Sequence, residues 1–135
     1  MDKTTDLKGL AVSTPSSEAL AAYERGVDLF LRWRAGVVDA LDAATQCDPR
    51  FALVHCTKAH IASRMGRADL ATAASRQAVA LADDVSSERE RLHVDAVAAM
   101  QRGDQAGALG VLARIAAEYP RDRVAVRLAG LNFIT

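Results

Sequence analysis

The 135-residue chain contains three histidines, two cysteines and one tryptophan, and these are the first side chains to test for chemistry. His55 and His60 invite a metal. Zinc pairs on a helix use the i, i+4 spacing, whereas these two are five apart and face different ways. Cys47 and Cys56 add no metal site, and a disulfide between them is not expected in a reducing compartment. Cys56 near His60 or His93 could imitate a nucleophile–base pair. Helix register argues against it, because Cys56 and His60 would lie side by side on an open surface rather than in a closed pocket. His60 and Arg64 are four apart and share a helical face, whose simplest role is a solvated side of a helix. His55 falls at a position for a large packing residue and is expected to be buried and hydrogen-bonded. His93 stays open between a structural and a groove-lining role. The glycines are isolated, so no phosphate-cradling loop is present. No catalytic residue, metal ligand or cofactor is assigned.

The elements that position these residues are helical. Half of the residues are hydrophobic, mostly Ala, Val and Leu, and only 4% are aromatic, which favours packed helices over a sandwich or barrel. Residues 1–12 read as a loose arm and 13–135 as one helical domain. Thr14 caps the first helix with Pro15 at its first position, and Trp33 near its end reads as a packing anchor. Ala35-Gly36 breaks to a second helix over 37–47. Asp48-Pro49 starts a third, Arg50 to Met65, which Gly66 ends. A fourth covers 67–82. Ser87 and Glu90 form a capping box for a fifth. Gly103 ends that helix, Asp104 caps a sixth, and Pro120 stops it before a seventh helix from about Asp122 to Ile134.

Gly66 and Gly103 are 37 residues apart, and Ala71 and Ala108 each follow their glycine by five. Glycine ends one helix, a small residue lets the next approach closely, and proline closes the unit. That order and near-34-residue period is the tetratricopeptide signature. The expected fold is all-α: a right-handed tetratricopeptide-like α–α solenoid of three helical hairpins plus a C-terminal helix.

Two segments go beyond the generic repeat. Asp48-Pro49-Arg50-Phe51 with His55 resembles a D-P-x-F-x-x-x-H segment, and Arg89-Glu90-Arg91-Leu92-His93-Val94 with Ala96-Val97 resembles R-E-x-L-H-V-x-A-V. Together with the Gly103–Pro120 hairpin they resemble the N-terminal part of the tetratricopeptide repeat protein 38 family over about residues 11–131. The resemblance implies a helical repeat protein without a well-defined biochemical activity.

In such repeats the first helix of each hairpin lines a concave groove. Cys56, His60 and Arg64, then His93, Val97 and Met100, then Arg127 are expected there, holding a protein or peptide segment. The alternative is a small-molecule-binding or catalytic accessory protein with a His/Arg-lined pocket closed by dimerisation. Leu128, Leu131, Phe133 and Ile134 are expected to be covered by a second copy of the chain. Seventeen basic and 17 acidic residues cancel, and no basic stripe suggests nucleic acid. No run of 18 apolar residues suggests a membrane span, and the polar N-terminus lacks a signal core, so the expected location is cytoplasmic.

Overall fold

The structure, a computed structural model, describes the backbone of residues 4–5 and 9–134 and the side chains of residues 9–130. Seven α-helices dominate: α1 (Ser17–Leu31), α2 (Val37–Cys47), α3 (Ala52–Arg64), α4 (Ala68–Ala80), α5 (Glu88–Gln101), α6 (Gln105–Glu118) and α7 (Arg123–Ile134). A 3₁₀ turn, Ala82–Asp84, fills the long loop before α5.

Local signals account for most helix ends. Asp104 accepts the Gly107 amide at 2.8 Å, and Ser87 accepts the Glu90 amide at 3.2 Å. The first helix differs from expectation. Its cap is Ser16, whose hydroxyl accepts the Ala19 amide at 3.0 Å. Thr14 is buried and its hydroxyl donates to the Asp48 carboxylate, so its oxygen is engaged at the far end of α2.

Three helices share one closing geometry. After α3 the Gly66 amide bonds Ser63 O and the Arg67 amide bonds Ala62 O; after α5 the Gly103 and Asp104 amides bond Met100 O and Ala99 O. Gly66 and Gly103 sit at φ of 73° and 81°, the left-handed position that glycine fills without a Cβ penalty. After α1 the same two bonds form, Trp33 to Phe30 O and Arg34 to Leu29 O. The left-handed residue there is Trp33, at φ 56°. The helix therefore ends where the other two end, two residues before the expected break at Ala35-Gly36, and with a tryptophan in the glycine position.

α1 packs chiefly on α2, α3 on α4 and α5 on α6, while α3 also lies against α5. α7 packs on α6 and returns against α1. The main core joins Val27 of α1, Leu41 of α2, Val54 and Ile61 of α3, Ile115 of α6 and Leu128 of α7. Tyr23 and Phe51 meet in it with ring centroids 5.5 Å apart. A second cluster, with Cys56, Ala74, Ala78 and Val97, fills the space between α3, α4 and α5. The small-residue stripe points inward as expected, with Ala71 and Ala108 both buried. Close approach of α1 and α2 depends on Gly26: a Cβ there would lie 2.9 Å from Leu41 Cδ2, and Leu41 is fully buried. Gly26→Val is expected to cost about 1–3 kcal/mol by overpacking, read as a lower midpoint in urea at unchanged m-value.

The expected loose arm is partly docked. Thr4–Thr5 (β1) pairs antiparallel with Ala11–Val12 (β2), and Val12 is buried in the main core. The Ser13 amide and hydroxyl donate to the Glu90 carboxylate at 2.9 and 2.7 Å. Glu90 was expected to reach back to its own cap. Instead the Ser87 hydroxyl donates to it at 2.9 Å and its other donors come from Ser13. A fully buried carboxylate needs several donors, and one short helix turn supplies too few. Residues 1–3 and 6–8 of the expected arm lie outside the described residues.

Candidate functional site

The groove expected on α3 and α5 is interior. Cys56, His93 and Val97 are fully buried, and His60 is 5% exposed. Of the proposed groove residues, Met100 and Arg127 are half-buried and Arg64 is exposed. The physical cause is packing: α3 lies directly against α5, and α7 folds back onto α1, so the inner faces of these helices meet one another. Leu128 is also fully buried in its own chain and offers no surface for a second copy. The side chains of Leu131, Phe133 and Ile134 lie outside the described residues. His55 bonds Pro49 O through Nε2 at 3.0 Å, as expected of a structural histidine, but remains half-exposed.

His93 belongs to a buried charge network. Asp122 Oδ2 lies 2.7 Å from His93 Nε2 and 2.8 Å from an Arg89 Nη, and all three residues are buried. Asp122 Oδ1 accepts the Ala125 amide at 3.0 Å, capping α7, and Arg89 also donates to Ala11 O at 3.2 Å. Burial would raise the Asp122 pKa. The charge and hydrogen bond of His93, the Arg89 guanidinium and the Ala125 amide outweigh that and hold it below the usual carboxylate range. One carboxylate thereby ties α5 to α7, and Arg89 carries the link on to the N-terminal segment. The local signal was an Asp before the seventh helix; its buried partners are 29 and 33 residues away and left no local trace.

Cys56 cannot serve as a nucleophile in this setting. Burial, reinforced by the Glu90 charge, pushes its thiol pKa far up, and the thiol is a poor nucleophile. Cys47 is a free, exposed thiol. Among the described residues no group of three or more His, Cys, Asp and Glu side chains could hold a metal ion.

The exposed site lies elsewhere, around Trp33. This residue was expected to anchor packing; its side chain is 73% exposed because the left-handed turn after α1 swings it out of the core. Arg127 of α7 stacks over the indole at 5.7 Å and reaches Leu31 O at 3.4 Å. Two open clefts flank the ring. One, of about 560 Å³, runs along α7 past Arg123, Val126 and Arg127. The other, of about 620 Å³, runs past Phe30, Val37, Ile61 and Met65. Met65 and Val126 are themselves exposed apolar residues, so Trp33 joins an apolar strip to either side. Among the described residues the arginines lining the two clefts are Arg34, Arg64, Arg67, Arg123 and Arg127, against Asp39 as the one carboxylate. Arg123 lies 3.8 Å from Glu24. Such an arrangement can bury an apolar side chain beside the indole and pair carboxylates on the rim.

No family model matches the chain, and no solved structure matches it. Among the described residues no helix is long and apolar enough to cross a membrane.

Proposed function

We propose that this chain is a non-catalytic, tetratricopeptide-like interaction module, built as a right-handed solenoid of three helical hairpins and a capping helix. The paired packing of α1 with α2, α3 with α4 and α5 with α6 supports the solenoid reading. So do the repeated helix closures at Trp33, Gly66 and Gly103. The docking surface is the Trp33 face instead of the inner groove, and its occupant is an acidic segment of a partner protein with one or two apolar anchors.

One observation carries this reading: a large aromatic side chain stands 73% exposed in a left-handed backbone conformation, with open clefts on both sides. Holding a non-glycine residue there costs about 1–2 kcal/mol, and exposure returns little packing energy. Binding would give that conformation a use, because exposed Trp and Arg are the residues most often found at interface anchors. Among the described residues arginines outnumber carboxylates along the clefts even with Arg123 beside Glu24, and that excess selects an acidic partner. A second copy of the chain is a poor occupant, since a two-fold contact through this face sets the same arginines against each other.

Trp33 is the only tryptophan, so its fluorescence reads the face directly. Titration with an amphipathic Glu/Leu/Phe peptide is expected to give a saturable blue shift that weakens with salt. The Lys/Leu/Phe counterpart is expected to give none. Equal response to both peptides, or no response to either, would overturn the reading. Trp33→Gly separates binding from folding. Relief of the left-handed strain roughly offsets glycine's chain entropy and the lost Arg127 contact, so stability is expected to change by less than about 1 kcal/mol. Truncating a buried aromatic would cost about 3–5 kcal/mol, and a urea melt distinguishes the two outcomes.

A further inference from the structure

A separate cleft of about 280 Å³ lies between the end of α3 and the start of α6. His60, Ser63 and Arg64 line it from α3, Gln105 from the first turn of α6, and Leu109 and Leu112 from farther along α6. The wall contains a buried polar group with no partner: His60 is 5% exposed, and its Nε2 makes no hydrogen bond in the described structure. His93 Nδ1 on α5 is likewise buried without a partner, while two other buried polar side chains are satisfied. Tyr23 and Thr57 share a hydrogen bond at 3.0 Å, and Ser75 donates to Ala71 O at 2.8 Å. Leaving a ring nitrogen buried and unpaired costs folding free energy, so the chain gives something up at this position.

The surrounding groups define what would pair with it. Gln105 and Ala106 are the first two residues of the 14-residue helix α6, and both line the cleft. First-turn amides have no partner within their own helix and carry the positive end of its dipole. The cap, Asp104, has its carboxylate turned onto the Gly107 amide. Arg64 donates through one Nη to Leu128 O at 3.3 Å, and a guanidinium carries five donors. Burial first, then the charge interactions with His93 and Arg64, pushes the His60 pKa down to about 3, so the ring is neutral at pH 7 and its Nε2 can carry a proton to donate. The site thus offers donors for one negative charge, beside an apolar floor of two leucines. A phosphate dianion would place two charges against one guanidinium, and it has no apolar part for the floor.

We propose that this cleft binds a small monocarboxylate with a short apolar tail, its carboxylate held by Arg64, the His60 Nε2–H and the first-turn amides of α6, and its tail on Leu109 and Leu112. The cleft is separate from the Trp33 face except at Arg64, which lines both this cleft and one of those beside the indole.

The test uses the full ¹⁵N-labelled chain titrated at constant ionic strength with hexanoate, benzoate and inorganic phosphate. Both carboxylates are expected to shift the His60 ring signals and the Gln105 and Ala106 amides along one saturable curve, with phosphate far weaker. Loss of the charged hydrogen bonds in Arg64→Met is expected to weaken binding about tenfold or more. Arg64 is exposed, so this variant is expected to keep the fold, which its undisturbed amide spectrum would verify. Trp33→Gly is expected to bind the carboxylates as the parent does, which separates this site from the Trp33 face. Shifts that do not saturate, an equal response to phosphate, or unchanged affinity in Arg64→Met would overturn the proposal.

Discussion

Asp122→Ala is expected to destabilise the fold by about 3–5 kcal/mol, the largest effect of any single substitution considered for this chain. The carboxylate does three things at once. It neutralises Arg89 at 2.8 Å, accepts from His93 at 2.7 Å and caps α7 through the Ala125 amide at 3.0 Å. Arg89 and His93 are 4% and 0% exposed, so removing Asp122 takes away the carboxylate they share where water has little access to replace it. Breaking one partner of a buried pair costs more than the pair contributes net, because the survivor stays buried and uncompensated. The cap adds about 1 kcal/mol. A domain of this size has about 5–15 kcal/mol in total, so the variant would stand near the edge of folding. Equilibrium urea unfolding at pH 7 and low temperature measures it; a loss below about 1 kcal/mol would mean the network is not closed as described. Replacing the pair together, Arg89→Met with Asp122→Leu, is expected to cost less than Asp122→Ala alone, since the buried guanidinium then goes with its carboxylate. Because the folded pKa of Asp122 is depressed, its contribution is present above the ordinary aspartate value of 3.8 and is lost as pH falls below it.

The second large effect is acid sensitivity at a milder pH. His60 is held at about 3 when folded, against 6.5 for an ordinary histidine. Between those values the unfolded chain takes up a proton that the folded chain refuses. Stability must therefore fall as pH drops below 6.5, and the decline continues until the folded ring itself titrates near 3. At pH 5 the loss from this one ring is about 2 kcal/mol relative to pH 8. The Asp122 contribution sets in mainly below 3.8, so the His60 share of the loss is what His60→Gln removes between about pH 4 and 6.5. His60→Gln, which stays neutral throughout, is expected to start less stable but to flatten the stability–pH curve across that interval. A variant curve as steep as the parent's would assign the acid loss to another group.

Much of the architecture was legible in the residues because it is decided locally. Gly66 and Gly103 mark helix ends since only glycine adopts the left-handed turn cheaply, and the caps at Ser87 and Asp104 act on amides within one turn. Small residues at Ala71 and Ala108 face inward, because helical spacing puts them on one stripe. The same local reasoning gave Thr14 as a cap and missed Ser16, since it could not see Asp48 waiting 34 residues away for the Thr14 hydroxyl.

The sequence by itself therefore determined that this chain is helical, where most of its helices begin and end, and which positions must be small. Those choices depend on neighbours within four residues, and their energies hold whatever the rest of the chain does. The tertiary structure alone decided which faces are open. Return of α7 onto α1 and contact of α3 with α5 turned Cys56, His93 and Val97 from groove residues into core, and the left-handed turn at Trp33 put an expected core residue on the surface. Burial is set by every element that arrives at a face, and the pairs that close this fold, Ser13 with Glu90 and Arg89 with Asp122, join residues 77 and 33 positions apart.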